Sequence, residues 1–267
     1  MPIECLQTIL PIERDAFYDL DYQVMKLAFE VHNDMGRFWD EKIYESALAA
    51  RCRSTGLGSV ATQVPIRVSY QDFTKTYEVD MLLNQSVVYE LKAVETLTGE
   101  HRNQAINYLL LLGVNHGKLV NFRTESVQHR FVTTHLTSAR RRQITVDDRR
   151  WKNTNGDSGW LKDLVLALLE EWGAFLDIQL FYEAVCHFRG GEDKVVKRIA
   201  VSDGAQSLGS QRAHLLDDVT AFKFSAITGD QKAYEQHLRR FLNYTNLHCV
   251  EWINLNHHQI TFATVTK

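Results

Sequence analysis

The sequence predicts an α/β layer fold, a mixed sheet flanked by helices, built twice within one chain. Three observations carry that reading. Residues 13–122 follow the order helix, helix, three strands, helix, strand; a helix there joins two strands as a crossover; and the second half repeats the hydrophobic spacing of the first. A chain of 267 residues can bury one large core or two of ordinary size, and 45% hydrophobic with 24% charged residues is average globular usage, which excludes a disordered or fibrous class.

Residues 13–34 and 40–55 set apolar side chains at helical spacing. Val24, Leu27, Ala28 and Val31 mark the first helix, Ile43, Ala47 and Leu48 the second, and Gly36 the stop between them. The segments 62–70 ("TQVPIRVSY"), 76–83 ("TYEVDMLL") and 86–93 ("SVVYELKA") are short, rich in β-branched and aromatic residues, and parted by polar breaks; they read as three neighbouring strands. "TGEHRNQAINYLLLLG" opens on a capping-type Thr98 and closes on Gly113, a helix with one apolar face, and "GKLVNF" returns to the sheet.

Residues 137–159 break the pattern. "TSARRRQITVDDRRWK" has no apolar period and "NTNGDSG" is made of turn formers, so this stretch is expected to be a basic, polar linker between a domain at 1–136 and another at 160–267. Its cations, Arg140, Arg141, Arg142, Arg149, Arg150 and Lys152, read as solvated linker charge or as phosphate contacts.

Beyond the linker, "MGRFWDEKIYESAL" lies against "WGAFLDIQLFYEAV", with Gly36 on Gly173, Phe38 on Phe175, Asp40 on Asp177 and Tyr44 on Phe181. "VYELKAV" then falls on "AFKFSAI", and "NQAINYLLLLGVNHGKLVNF" on "QHLRRFLNYTNLHCVEWINL". The expectation is a duplicated unit forming an intrachain pseudo-dimer. The second copy lacks a charged set: Asp80 falls on Ala213, Glu90 on Lys223, Lys92 on Ser225 and Gln104 on His237. A purely structural need for those charges would have kept them in both copies, so they point to chemistry in the first half.

A tight connection near Asn84 and Gln85 would bring Asp80 and Glu90 together. Two close carboxylates repel unless a cation or proton stands between them, and hard oxygen donors suit Mg²⁺ or Mn²⁺. Lys92, two residues after Glu90, emerges on the same strand face, where it can orient or help deprotonate a metal-bound water and offset phosphate charge.

Asp80 followed by Glu90-Leu91-Lys92 resembles the D…ExK signature of the PD-(D/E)xK nuclease superfamily, and Gly36, Glu41, Tyr44, Glu45, "VPI", "ELKAV", "QAINYL" and "LVNF" are similar to its GxxExxY family over residues 20–125. The family's glycine three residues before the acid is Phe38 here. The resemblance implies a restriction-endonuclease-like sheet, with Asp80, Glu90 and the Leu91 carbonyl holding Mg²⁺ or Mn²⁺ and Lys92 serving the attacking water. Glu41 and Glu45, one turn apart, could each supply a further metal-side carboxylate. Gln104 and Tyr108, spaced QxxxY, resemble the motif that approaches the substrate phosphate in RecB-type nucleases.

The implied activity is metal-dependent hydrolysis of nucleic acid, DNA before RNA. The competing classes are a nucleic-acid-binding or assembly module without turnover, and a protein-interaction scaffold. A net charge of −3 does not favour nucleic-acid binding by bulk electrostatics, so a local basic surface is required. Apolar runs such as "YLLLLGV" are too short to span a bilayer and no secretory leader is evident, so a cytoplasmic protein is expected; self-association is compatible with the sequence. Cys5, Cys52, Cys186 and Cys249 form no CxxC pair and read as isolated thiols; His257 and His258 read as surface or core residues.

Overall fold

The computed structural model of the chain describes residues 2–153 and 156–267. By its contacts the chain divides into two compact units, Met1–Ser69 with Thr74–Ser138, and Tyr70–Phe73 with Ala139–Lys267.

The first unit runs β1 (Ile3–Cys5), α1 (Arg14–Met35), α2 (Glu41–Ser54), β2 (Val60–Tyr70), β3 (Phe73–Leu83), β4 (Val87–Lys92), α3 (Gly99–Leu112), β5 (His116–Asn121) and β6 (Gln128–Thr133). Its strands form one sheet in the order β1-β2-β3-β4-β5-β6. β3 and β4 are antiparallel, with Met81 opposite Tyr89, and turn through Asn84 and Gln85 at φ 51° and 59°, the doubly positive pair that matches the twist of a tight hairpin. β4 and β5 are parallel, so the chain must cross over between them, and α3 is that crossover. Thr98 and His101 form a capping box at its start, and left-handed Gly113 ends it.

Alternation along β4 sorts its side chains. Tyr89 and Leu91 enter the core with Val24, Tyr44 and Leu48 of the first two helices, which leaves Val88, Glu90 and Lys92 on the opposite pleat. Gly117 is required on that side, since a Cβ there would lie 2.9 Å from the Val88 carbonyl oxygen and 3.0 Å from Leu109 of α3. One polar pair crosses the core on the helix side: Lys118, 1% exposed, donates to Asp21 of α1 at 2.6 Å.

The second unit contains α4 (Ser138–Arg141), β7 (Thr145–Arg150), α5 (Gly156–Trp172), α6 (Ile178–Phe188), α7 (Glu192–Val195), β8 (Val196–Asp203), β9 (Gln206–His214), β10 (Thr220–Ser225), α8 (Gln231–Asn243), β11 (Cys249–Asn256) and β12 (Gln259–Thr266). β10 and β11 are parallel and β12 is antiparallel to β11, in a four-stranded sheet of order β10-β11-β12-β7; β8 and β9 pair separately.

The expected linker at 137–159 is corrected by this arrangement. Thr154 and Asn155 lie outside the described residues, but the stretch before them carries α4 and β7, and β7 is a parallel partner of β12 from Thr145 to Arg150. Its charges hid an edge strand. Two of the cations are corrected too, while Arg140, Arg149, Arg150 and Lys152 are exposed: Arg141, 2% exposed, donates to the Trp172 carbonyl at 2.9 Å, and Arg142 donates to the Glu170 and Glu171 carbonyls at 3.0 and 2.8 Å. They satisfy the open C-terminal carbonyls of α5. Gly173, just past that end, sits at φ 80°, and a Cβ there would lie 2.9 Å from that of Arg141, so a side chain would be strained by both backbone and space.

Cys52, Cys186 and Cys249 are buried, Cys5 is half-buried, and all four are free thiols; burial raises Cys52 and Cys186 to about 11, which makes them inert. His257 stacks on Phe175, and His258 meets the Gln143 carbonyl oxygen through Nδ1. Among the described residues no helix is long and apolar enough to cross a membrane.

Candidate active site

The β3–β4 register, continued by one residue, sets Asp80 across from Glu90. Both are nearly closed from solvent, at 8% and 1% exposure. Asp80 Oδ2 accepts the Leu91 N–H at 2.8 Å, so the aspartate is locked to the strand that carries the second acid. Lys92, on the same pleat as Glu90, puts Nζ 2.7 Å from Glu90 Oε1, 3.6 Å from Glu41 Oε1 and 3.8 Å from Asp80 Oδ2. One ammonium thus stands among three carboxylates from three elements.

The electrostatics follow from burial. Desolvation raises Glu90 to about 8, and the Asp80 charge adds to it against the pull of Lys92. Asp80 and Glu41 are raised for the same first reason, with Lys92 opposing in both. Burial pulls the Lys92 ammonium down, but Glu90, Asp80 and Glu41 together outweigh it and leave it above its ordinary value. Lys92 is therefore held as a cation.

Glu45 lies one turn behind Glu41 and is buried. Its Oε2 accepts Gln63 Nε2 at 2.5 Å, and burial raises it although that hydrogen bond lowers it. Gln63 was not singled out from the sequence. It sits in β2 at φ 50°, a backbone region that costs a non-glycine residue energy. The only sequence signal was a polar residue in a strand pattern.

On α3, Gln104 Nε2 donates to the Tyr108 hydroxyl at 3.0 Å. Tyr108 is buried and lifted to about 12, first by desolvation and next by the Glu90 charge, so it faces the acids. Gln104 is exposed and reaches the cluster through Tyr108. Tyr44 plays a positioning part: its hydroxyl donates to the Gly36 carbonyl at 2.7 Å and accepts the Trp39 N–H at 3.3 Å, fixing the loop that enters α2 at Glu41.

A divalent cation fits this donor set by one test. Glu90 Oε2 is buried with no donor supplied to it, and a side-chain hydrogen bond between Glu90 and Asp80 lowers the Asp80 carboxyl, a contact between two carboxyls that needs a proton or a cation. Against it, among the described residues no group of three or more His, Cys, Asp or Glu side chains stands close enough to hold a metal alone. The sequence offered Asp80, Glu90, Glu41 and Glu45 with the Leu91 carbonyl as metal donors, and among the described residues three of those carboxylates do not come together as one metal-holding group.

Residues 18–133 match the model of the PD-(D/E)XK nuclease superfamily. The matched stretch holds Glu41, Glu45, Asp80, Glu90, Leu91, Lys92, Gln104 and Tyr108, and a PD-(D/E)XK-like fold is consistent with its mixed sheet flanked by helices. The superfamily's usual metal-dependent nuclease chemistry is what this region suggests. A solved structure titled "Crystal structure of SSO0001" aligns at 17% identity and a TM-score of 0.30, over 47% of this chain and 64%, less than two thirds, of its own. No curated protein matches the chain.

Proposed function

We propose that the chain is a divalent-metal-dependent nuclease that hydrolyses phosphodiester bonds of DNA, with RNA as the alternative substrate, and that the reaction takes place in the first unit. The observation that carries this is the buried pair Asp80 and Glu90, set across from each other with Lys92 held cationic beside both. Asp80, Glu90 and the Leu91 carbonyl would hold Mg²⁺ or Mn²⁺, and Glu41, which shares Lys92 with both acids, is the further carboxylate we favour over Glu45. The metal supplies charge neutralisation at the phosphate and a more acidic water. Lys92, as an ammonium, donates to the oxygens that gain charge as water attacks phosphorus and the bond to the leaving oxygen breaks. Half-exposed Glu41, its carboxyl raised, is placed to take a proton from that water. Gln104 and Tyr108 would contact the substrate phosphate from α3.

The GxxExxY assignment is supported by the Tyr44 clamp on Gly36, which gives the motif's tyrosine a physical task. The duplication is supported by two polar details at matched positions. Asn121 bonds both the N–H and C=O of Val94, and Asn254 does the same with Ile227. Where Asp21 and Lys118 join a helix to a central strand, Ser158 and Glu251 do so at 2.6 Å. In this reading 160–267 is a copy that kept its scaffold and lost its acids.

One observation favours a non-catalytic nucleic-acid-binding module: Lys92 already balances the acids without a metal. Mn²⁺ calorimetry beside a cleavage assay separates the two. Wild-type protein that binds Mn²⁺ and cuts labelled DNA or RNA, with Lys92→Ala folded but inactive, supports the nuclease; no Mn²⁺ binding and no cut product supports the module.

A further inference from the structure

The loop that delivers Glu41 carries two aromatic rings turned out to solvent, Phe38 at 78% exposure and Trp39 at 49%. Neither is loose decoration. The Trp39 indole N–H donates to the Met35 carbonyl at 2.8 Å and its backbone N–H to Tyr44, so the ring is pinned by its polar edge while much of its surface stays open. The Arg37 guanidinium lies 5.5 Å from the Phe38 ring centroid. Phe38 and Arg37 also wall an open hollow of about 610 Å³ whose far side includes Arg123, Glu95 and Gln128.

We infer that Phe38 and Trp39 are a stacking platform for unpaired nucleobases, which makes single-stranded nucleic acid, or a splayed end, the substrate class. This rests on the nuclease-type reading of the neighbouring site. Phe38 and Trp39 stand on the short loop that enters α2 at Glu41, whose carboxylate lies 3.6 Å from Lys92, so the platform and one residue of the site share a single backbone segment. The hollow carries Arg37 and Arg123 against Glu95 and Glu125, so it offers no net positive charge; what suits a strand is the aromatic face for bases and the carboxylate, amide and guanidinium groups for exposed base edges. A duplex keeps its base faces stacked internally and offers none to Phe38 or Trp39. A side chain as exposed as Phe38 contributes little to the core; a ligand gives it a use.

The test is fluorescence anisotropy in Ca²⁺ with a labelled single-stranded 12-mer and a hairpin duplex of the same base composition. The wild type is expected to bind the single strand more tightly. Phe38→Ala and Trp39→Ala should each weaken that binding by about tenfold, the loss of one base stack, with duplex affinity unchanged and the fold retained by circular dichroism, and Trp39→Phe should restore most of it. Equal affinity for both forms, a loss on both alike, or no change on substitution overturns the platform. Binding to neither oligonucleotide overturns the platform and the nucleic-acid reading together. Single-strand binding without any cleavage in Mn²⁺ would sink the nuclease and leave the platform standing.

Discussion

Glu90 is the residue on which the site's energetics turn. Its carboxyl, ordinarily near 4.5, is lifted to about 8 by burial, so the folded protein binds a proton there that the unfolded chain releases between those values. Stability without metal must therefore fall as pH rises from about 4.5 to about 8, and Asp80, Glu41 and Glu45, also raised, push the same way. Glu90→Gln removes the largest such cost. Metal-free Glu90→Gln should melt higher than wild type at pH 8, by on the order of 1–2 kcal/mol, and the two should converge near pH 4.5. Thermal melts across that range check it; parallel curves would show that Glu90 is not the titrating group. The same variant is expected to lose cleavage, the usual signature of a site that trades stability for chemistry.

At the scale of elements, the buried Asp21–Lys118 pair ties α1 to β5. Asp21→Ala leaves an ammonium 1% exposed and uncompensated, and should cost about 3–5 kcal/mol in urea denaturation, whereas Asp21→Ala with Lys118→Met should recover most of it. A small cost for the single variant would mean that water or Tyr89 takes over the charge. Such pairs are hard to read from sequence, because Asp21 sits in a helical pattern and Lys118 in a strand, with nothing local to link them. What was legible was periodicity. The first two helices, β2 to β5 and the α3 crossover all followed from apolar spacing and turn residues, and so did Asp80, Glu90 and Lys92, charges in an otherwise apolar run. β6 and β7 were missed because an edge strand such as "TVDDRR" buries little and shows no alternation. Gln63 was missed because its position depends on an unusual φ, which sequence pattern does not report.

For the molecule as a whole, the asymmetry between the two units is the main functional statement. Each unit has a helix crossover between parallel strands and an asparagine that pins the end of one to the chain leaving the other. Among the described residues, the cluster of acids around a lysine is in the first. In the second unit, Ser225 lies beside Asn254 and Trp252 in a neutral hydrogen-bonded cluster, and Lys223 points to solvent. Lys223→Ala should thus leave catalysis within about twofold of wild type, as surface changes do, in assays of the full chain; a collapse of activity would assign the second unit a share in the chemistry. The claim on which all of this depends is that Asp80 carries a metal-dependent hydrolysis. Its most direct measurement is turnover of labelled linear, circular and single-stranded DNA and RNA in Mg²⁺ or Mn²⁺ by wild-type protein and Asp80→Ala, with circular dichroism on both. The expected result is cleavage by the wild type that stops on chelation and falls at least about a hundredfold in a folded Asp80→Ala, the scale of losing a major source of transition-state stabilisation. Turnover that survives in folded Asp80→Ala would contradict it.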